Sequence, residues 1–417
     1  MNFKHTCLAL LGLLGLQASA QNVNSPYSIL GIGDIEQKTF DRNSLSGSTA
    51  IGKRSSNTYN ITNPASLTSL THNVMHFEAN GRGRVSNFLL KPNAARTDNA
   101  KDFSVQHLAM AYNFRNNTAI AFGFKPYSMV NYQFTETDYL PGNTTQIIKT
   151  VDGEGGVNQV YASFAKSLGK HFSFGVTTSW LFGSMQRNEN YYNGGLSLYL
   201  DNVQTTFING GMINGGVQFY TNNSKRKWNH SVGLVASYKT TLSGETDTEV
   251  IDNGTSIFKD VEKSSKYKIP GNYGIGYTAY YKNSFKFSID ANYQPWQYQK
   301  LNYRQSYTGD AYSFSAGIER SFPYKQAQGF IEKTFIAAGA QYRSSYMNIY
   351  GQPLNDKSIT FGGGFQTIKS LGIYAGVEIG TKGNINIGQI NENYLQFNVG
   401  LSLKDLWFSS RKFKRYD

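Results

Sequence analysis

One cysteine stands in 417 residues, and it is Cys7. Past residue 20 there is therefore no thiol for a disulfide, a cysteine-ligated metal, a nucleophile or a lipid anchor. An exported chain of this kind is held together by its backbone ladder and its packing. Proline is scarce, at 9 residues, and no stretch beyond residue 20 approaches the about 18 consecutive apolar residues of a membrane-crossing helix. That excludes a helical membrane protein. Catalytic signatures are missing too, with no Gly-x-Ser-x-Gly, no Walker loop and no His-Glu-x-x-His. The later histidines, His72, His76, His107, His171 and His230, are scattered and form no Cys/His pair. Neither an enzyme, nor a metal centre, nor a cofactor is expected.

What is present starts with "MNFKHTCLALLGLLGLQASA". Lys4 supplies a positive n-region, Leu8 to Leu16 an apolar h-region, and Ala18-Ser19-Ala20 a small-residue cleavage site. Residues 1–20 read as a secretory signal peptide, since the apolar run is about half of what a spanning helix needs. The aromatic fraction is 14%, with 29 Tyr and 27 Phe, and glycine reaches 42. A membrane β-barrel reconciles many aromatics with low mean hydropathy, because only alternate residues face lipid. The formal charge of +13 would suit nucleic acid in another setting. In an exported protein it suits anionic lipid head groups and lipopolysaccharide, and nucleic acid is not expected as a partner. The densest basic cluster is the tail "SSRKFKRYD" at 409–417.

Period-two alternation runs through the chain from Asn73. In "HFSFGVTTSWLFGS", Phe172, Phe174, Val176, Thr178, Trp180 and Phe182 share one side, aromatic at both ends as a bilayer-crossing strand requires. Strands are expected at 73–85, 102–114, 118–132, 156–168, 170–186, 203–220, 228–242, 266–281, 284–298, 310–320, 333–348, 357–368, 370–381 and 393–405. The fold class is an all-β, transmembrane antiparallel barrel of about fourteen strands over residues 73–408. Links at 86–101, 133–155, 187–202, 243–265, 299–309, 349–356 and 382–392 read as long polar external loops, and the alternate links as short periplasmic turns. The link 321–332 breaks that pattern by its length. A soluble sandwich or propeller would also alternate, but not with strands this long and connections this lopsided.

Residues 21–72 show little alternation, yet they keep Tyr27, Ile29, Leu30, Ile32, Ile35, Leu45, Ile51, Tyr59, Ile61, Leu67 and Leu70. A disordered tail seldom holds so many spaced apolar residues; a plug inside the barrel uses them. Parity assigns lumen positions on the strands. His76, Glu78, Asn80 and Arg82 share one face, Lys286, Asp290 and Asn292 another, and Glu378 a third with Tyr374; Lys125 and Glu319 are similar. Charges on the lipid face cost about 2–4 kcal/mol at the midplane, so these groups point inward. They pair with one another or fasten the hatch, or else supply a cation such as Arg82 or Lys125 for a carboxylate head group. "NGGMINGGVQ" (209–218) and "KIPGNYGIGY" (268–277) interrupt their strands with Gly and Pro. They mark barrel curvature, close approach of the hatch backbone, or a lateral gap in the wall.

"NITNPASLTSL", just before the first strand, resembles through Asn63, Pro64 and Ala65 the Asn-Pro-Ala stretch in the N-terminal hatch of the FadL/TodX family of hydrophobic-compound channels. Through "SPYSILGIGDI" and "LSLKDLWFSSRKFKRYD" the chain is also similar to a group of outer-membrane proteins of Bacteroidetes-type bacteria. The resemblance implies a fourteen-stranded barrel with an internal hatch in the outer membrane of a Gram-negative bacterium, passing long-chain fatty acids or aromatic hydrocarbons. This chain departs from it by lacking an obvious apolar helix pair in its external loops. The expected function is passive uptake of small hydrophobic molecules. The alternative is a non-transporting scaffold, like the type IX secretion barrels that also carry an Asn-Pro-Ala-like stretch, binding protein partners at its loops or periplasmic face.

Overall fold

The computed structural model describes residues 25–405 apart from 37, 40, 91–96, 116, 140–145, 194–197, 224, 283, 302–304, 327–328 and 368–370. The signal peptide expected over 1–20 and the basic tail at 409–417 lie outside the described residues. Fourteen antiparallel strands close a barrel, as the alternation predicts. They are β1 (Met75–Leu89), β2 (Thr97–Asn113), β3 (Thr118–Tyr139), β4 (Gln146–Leu168), β5 (Phe172–Asn193), β6 (Leu198–Tyr220), β7 (Trp228–Ser237 and Thr240–Asp252) and β8 (Thr255–Ile269 and Tyr273–Tyr281). There follow β9 (Phe285–Gln294), β10 (Ala311–Gln326), β11 (Gly329–Ile349), β12 (Gln352–Gln366), β13 (Leu371–Lys382) and β14 (Asn391–Asp405). Closure is complete: β14 pairs β1 from Asn391↔Leu89 to Asp405↔Met75 without a register shift.

The alternating sides face different solvents. On β5, Val176, Trp180 and Phe182 are exposed outward while Ser173, Thr177, Ser179 and Leu181 are buried. Exposed rings gather at two levels. Trp228 and Tyr281 meet at 4.8 Å near the rim of tight turns, and Tyr238, Tyr273 and Tyr293 stand farther along the same strands. From Tyr273 to Tyr281 is roughly 26 Å of extended chain before tilt, the height of a barrel's apolar band. The rim of tight turns is the periplasmic one by the usual asymmetry of such barrels.

The strands are longer than their hydrophobic pattern. The links expected as polar loops at 133–155, 187–202 and 243–265 are mostly paired strand: β3 reaches Tyr139, β5 reaches Asn193 and β7 reaches Asp252 before turning. Beyond the bilayer both sheet faces meet water, so alternation fades while the hydrogen-bonded ladder continues. The link 321–332 is likewise no long loop, because β10 and β11 stay paired to Gln326↔Gly329. The strands expected at 228–242 and 266–281 are each broken, at 238–239 and at 270–272, and both extend much farther outward.

The ladder is interrupted at two places. β2 and β3 pair only from Leu108↔Phe124 to Asn113↔Ala119. Just above, β3 carries Pro126, where its register to β4 slips; proline has no N–H to give the ladder. The exposed edge of β3 is taken instead by a short strand, Asp34–Ile35, paired to Met129 and Ser128. Flanking bonds run from Ser25 N to Asn131 O (2.8 Å) and from Glu36 N to Tyr127 O (2.9 Å). The second interruption follows β9, which ends before Pro295, so the outer segment of β8 has β7 as its only strand partner among the described residues.

Residues 25–72 fill the lumen as three short 3-10 helices, Pro26–Ile29, Arg42–Ser46 and Pro64–Ser69, with the Asp34–Ile35 strand between the first two. The apolar hatch residues pack against the wall at both ends. Tyr27 and Leu30 pack with Leu301, Tyr346 and Met347 near the outer end. Tyr59, Leu67 and Leu70 pack with Ala111 and Tyr161 near the periplasmic end. The middle helix starts at Asp41, whose carboxylate accepts from Asn43 N (2.9 Å), and stops at Gly47, whose φ is 66°. A Cβ on Gly47 would lie 2.7 Å from Ala316 O, and one on Gly339 of β11 would lie 2.2 Å from Gly47 N. Glycine facing glycine lets hatch and wall backbones touch.

Candidate functional site

The seam between hatch and wall is built from ion pairs. Four hatch charges reach four different places on the barrel. Asp34 pairs with Lys382 of β13. Glu36 pairs with Arg82 of β1 at 2.8 Å, and Asp102 of β2 lies 3.6 Å behind that guanidinium. Lys38 meets Glu378 of β13 directly and Asp356 of β12 at 3.5 Å. Arg42 donates to both carboxylate oxygens of Glu319 on β10, at 2.7 and 3.2 Å, and also to Glu332 of β11. Its guanidinium lies 3.5 Å from the centre of the Phe335 ring. Planar two-point pairs of this kind fix orientation as well as charge.

Bonds to hatch backbone continue the seam. Asp290 of β9 accepts from the amides of Ala50 (2.5 Å) and Ile51 (2.8 Å), and Glu78 of β1 accepts from Tyr59 N at 2.6 Å. Asn63 caps the Pro64–Ser69 helix by accepting from Ala65 N (3.1 Å), and its amide donates to Ile51 O (2.9 Å) and Val217 O (3.2 Å). Pro64 opens that helix and lies against Gly175 of β5; Ala65 is wholly buried. Within the hatch, burial pushes the Asp41 carboxyl up to about 6 and the Lys53 ammonium down to about 8.

Of the eight titratable lumen candidates, Arg82, Lys286, Glu319 and Glu378 are in ion pairs, and Glu78 and Asp290 hold hatch amides. Lys286 joins Arg42 on Glu319, and Glu378 also accepts from Tyr394 (3.0 Å) and Gln396 (3.1 Å). His76 is buried and makes no ion pair among the described residues. Lys125 stands apart: among the described residues it has no carboxylate within salt-bridge reach, and it lines an internal cavity of 230 Å³ with Gln106, His107, Gln159 and Asp290. A larger cavity of 510 Å³ opens at the outer end, beside the β2–β3 interruption, with Leu30, Phe88, Leu90, Phe134 and Ile390 in its lining.

Of the glycine-rich stretches, 209–218 is continuous strand paired throughout to β5, and a Cβ at Gly216 would lie 2.2 Å from the Asn63 side chain. The stretch 268–277 breaks at 270–272, where β8 bends. The larger ladder interruption is the one above Phe124 on β3, which neither stretch signals. Parity missed the hatch partners Asp34, Glu36, Lys38 and Arg42, since the hatch has no period to read. It would have found Asp356: in "NDKSITF" Ile359 and Phe361 face outward, which turns Asp356 inward.

Solved structures share this architecture. The chain is similar to the CymD monoaromatic hydrocarbon channel at 13% identity and TM-score 0.55, covering 90% of this chain and 98% of that one. It is similar to the Pseudomonas putida toluene transporter TodX at 12% identity and TM-score 0.57, covering 90% and 100%. To a Pseudomonas aeruginosa FadL homologue the figures are 10% identity and TM-score 0.58, covering 90% and 99%. At such identities the likeness is one of fold, that of an outer-membrane barrel. Among curated proteins nothing matches. The model of one protein family, BamG, matches residues 2–414, nearly the whole chain, which therefore belongs to the BamG family.

Proposed function

We propose that the protein is a passive outer-membrane channel for small hydrophobic molecules, which enter at the outer cavity and leave sideways through the β2–β3 interruption into the bilayer. The observation that carries this reading is the juxtaposition of the two. The 510 Å³ cavity, lined in part by Leu30, Phe88 and Phe134, adjoins the stretch of wall where β3 has lost its strand partner to Asp34–Ile35. Opening there needs that short strand to leave, breaking its ladder and flanking bonds to β3 together with the Asp34–Lys382 and Glu36–Arg82 pairs. The rest of the hatch stays in place. An apolar solute then meets hydrocarbon without crossing the aqueous periplasm, and no energy source is required. Within this reading long-chain fatty acids are the favoured substrates, because Lys125 lies behind the same opening with Ile35 and Glu36 and offers a cation to a carboxylate head group.

The test is a reversible lock. Ile35→Cys with Ser128→Cys places two thiols on paired residues, at a spacing a disulfide can bridge, in a chain with no other cysteine past Cys7. Oxidation should lower uptake of labelled fatty acid and of labelled toluene to the level of cells lacking the gene, and reduction should restore it. Uptake unchanged by the lock overturns the route.

A second reading, a non-transporting barrel that binds protein partners, is favoured by one specific observation. Several buried ion pairs hold the hatch to the wall, and the cavity beneath is mixed polar instead of apolar. Under that reading gene deletion leaves uptake of both solutes unchanged, and cross-linking in cells joins the barrel to defined proteins.

A further inference from the structure

The outer strand ends mix exposed carboxylates such as Glu136, Glu245 and Glu262 with exposed lysines such as Lys259 and Lys266. The periplasmic rim does not. Its one exposed carboxylate among the described residues is Asp405, at the end of β14. The tight turns carry cations, most densely from β6 to β10: Lys225, Arg226 and Lys227 between β6 and β7, Lys282 between β8 and β9, and Arg320 at the base of β10, all exposed. Glu319 and Glu332 of this sector face the lumen instead, where Glu319 pairs with Arg42 and Lys286 and Glu332 with Arg42. On the lipid side, Trp228 of β7, Tyr281 of β8, Phe285 of β9 and Arg320 of β10 are successive ladder partners in one row. The Arg320 guanidinium lies 5.2 Å from the centre of the Phe285 ring and 4.8 Å from that of Phe322. Trp228 lies 6.2 Å from the exposed Phe287. Lys282 reaches to 5.3 Å from the Tyr281 ring, and its amide donates to Lys227 O at 2.9 Å. Both lysines therefore stand just beyond the rings, on the periplasmic side.

We propose that this sector binds an anionic phospholipid of the inner leaflet, with its phosphate on Lys227, Lys282 and Arg320 and an acyl chain along Trp228, Phe285 and Phe287. The order of the groups along the barrel axis carries the inference. Aromatic rings settle at the membrane interface, and the cations lie where the head groups begin. Arg320 belongs to the lipid-facing row, so its apolar stem runs among rings while the guanidinium reaches the head groups. Its planar fork matches phosphate oxygens. A lipid satisfies both halves of the surface at once; an acidic polypeptide in the periplasm would answer the cations and leave the membrane-facing rings aside. A zwitterionic head group would bring an ammonium up to the same cations, which favours an anionic one. Lipopolysaccharide belongs to the opposite leaflet, at the other rim. The sector lies across the barrel from the β2–β3 interruption, so the inference is independent of conduction and its test involves no uptake.

The test uses the full-length protein in vesicles of phosphatidylcholine containing a minor fraction of either phosphatidylglycerol or phosphatidylcholine brominated high on one acyl chain. Bromine quenches a tryptophan only at contact, and the difference between the protein and Trp228→Phe isolates the signal of Trp228. Brominated phosphatidylglycerol should occupy the contact about fivefold or more in preference to the brominated neutral lipid, the scale expected of lysines and arginines beside anionic lipid. The triple variant Lys227→Gln, Lys282→Gln, Arg320→Gln should abolish the preference. A triple of equal charge loss in other turns, Arg115→Gln, Lys166→Gln, Lys170→Gln, should keep it. Folding of both variants is checked by migration in unheated gels. Equal quenching by the two lipids overturns the proposal, as does a preference that survives the first triple. Equal loss in both triples also overturns it, since the attraction would then be the diffuse charge of the rim. Capture of polyaspartate by the detergent-solubilised protein, without any lipid preference in vesicles, would give the surface to an acidic polypeptide instead.

Discussion

At the scale of single residues, the seam is an exchange of charge between a hatch without periodicity and a wall with strict periodicity. Arg42 is its most connected member, shared by Glu319 and Glu332 and covered by Phe335. Removing one partner of a buried pair leaves an uncompensated charge, at a cost of about 3–5 kcal/mol. Arg42→Ala should therefore raise the population of undocked hatch by about a hundredfold or more. The check is maleimide labelling of Ser44→Cys, a buried position whose labelling rate tracks opening; an unchanged rate would mean that other contacts hold the hatch alone. Lys125 gives the opposite expectation, for among the described residues it makes no ion pair. Lys125→Met should leave Ser44→Cys labelling unchanged while lowering uptake of a fatty acid but not of toluene, and equal loss of both would remove its role as carboxylate anchor. Parity could point Glu319, Glu378 and Asp290 inward because a charge on the lipid face is costly. It could not name their partners, which lie 240 to 340 positions away for Asp290 and Glu378 in a segment with no repeat to align.

At the scale of elements, alternation reveals the parts of strands that cross the bilayer and nothing beyond them. That is why every bilayer segment was legible while the outward extensions of β3, β5 and β7 read as loops. The interruption above Phe124 was hidden for a related reason: "FKPYSMVNYQF" still alternates around Pro126, and the loss of pairing to β2 is a property of two strands together. Hatch docking depends on another element-level feature, the closeness of Gly47 to Gly339, where a Cβ on the latter would fall 2.2 Å from a backbone nitrogen. Gly339→Val adds a branched side chain to a strand that favours one while removing the room for the hatch helix. The barrel should still assemble and resist heat in unheated gels, but trypsin should cut at Arg42 or Lys53, both buried in the docked hatch. Protection equal to that of the unaltered protein would mean that the wall yields and the contact is not a fixed floor.

At the scale of the whole molecule, the barrel and the hatch draw their stability from different sources, which makes them separable. The wall is closed by continuous ladders, among them the β14–β1 seam from Asn391↔Leu89 to Asp405↔Met75, and by an outward apolar face that only lipid or detergent satisfies. The hatch contributes apolar clusters and the ion pairs of the lumen, but among the described residues its pairing with the wall is the short strand on β3 and a single bridge from His72 to Asn113. Without residues 21–72, Glu319 keeps Lys286 and Asp356 keeps Arg343, and water can solvate what else is uncovered. A chain lacking 21–72 should therefore insert as a closed barrel, shifted in unheated gels like the complete one, and should pass small hydrophilic antibiotics and carry steady current in planar bilayers where the complete protein carries little. If the truncated chain fails to insert, the hatch is part of the folding core and no separable gate. If it inserts without added permeability, the polar lumen closes on itself and conduction through the barrel axis is ruled out, leaving the side of the wall as the one way through.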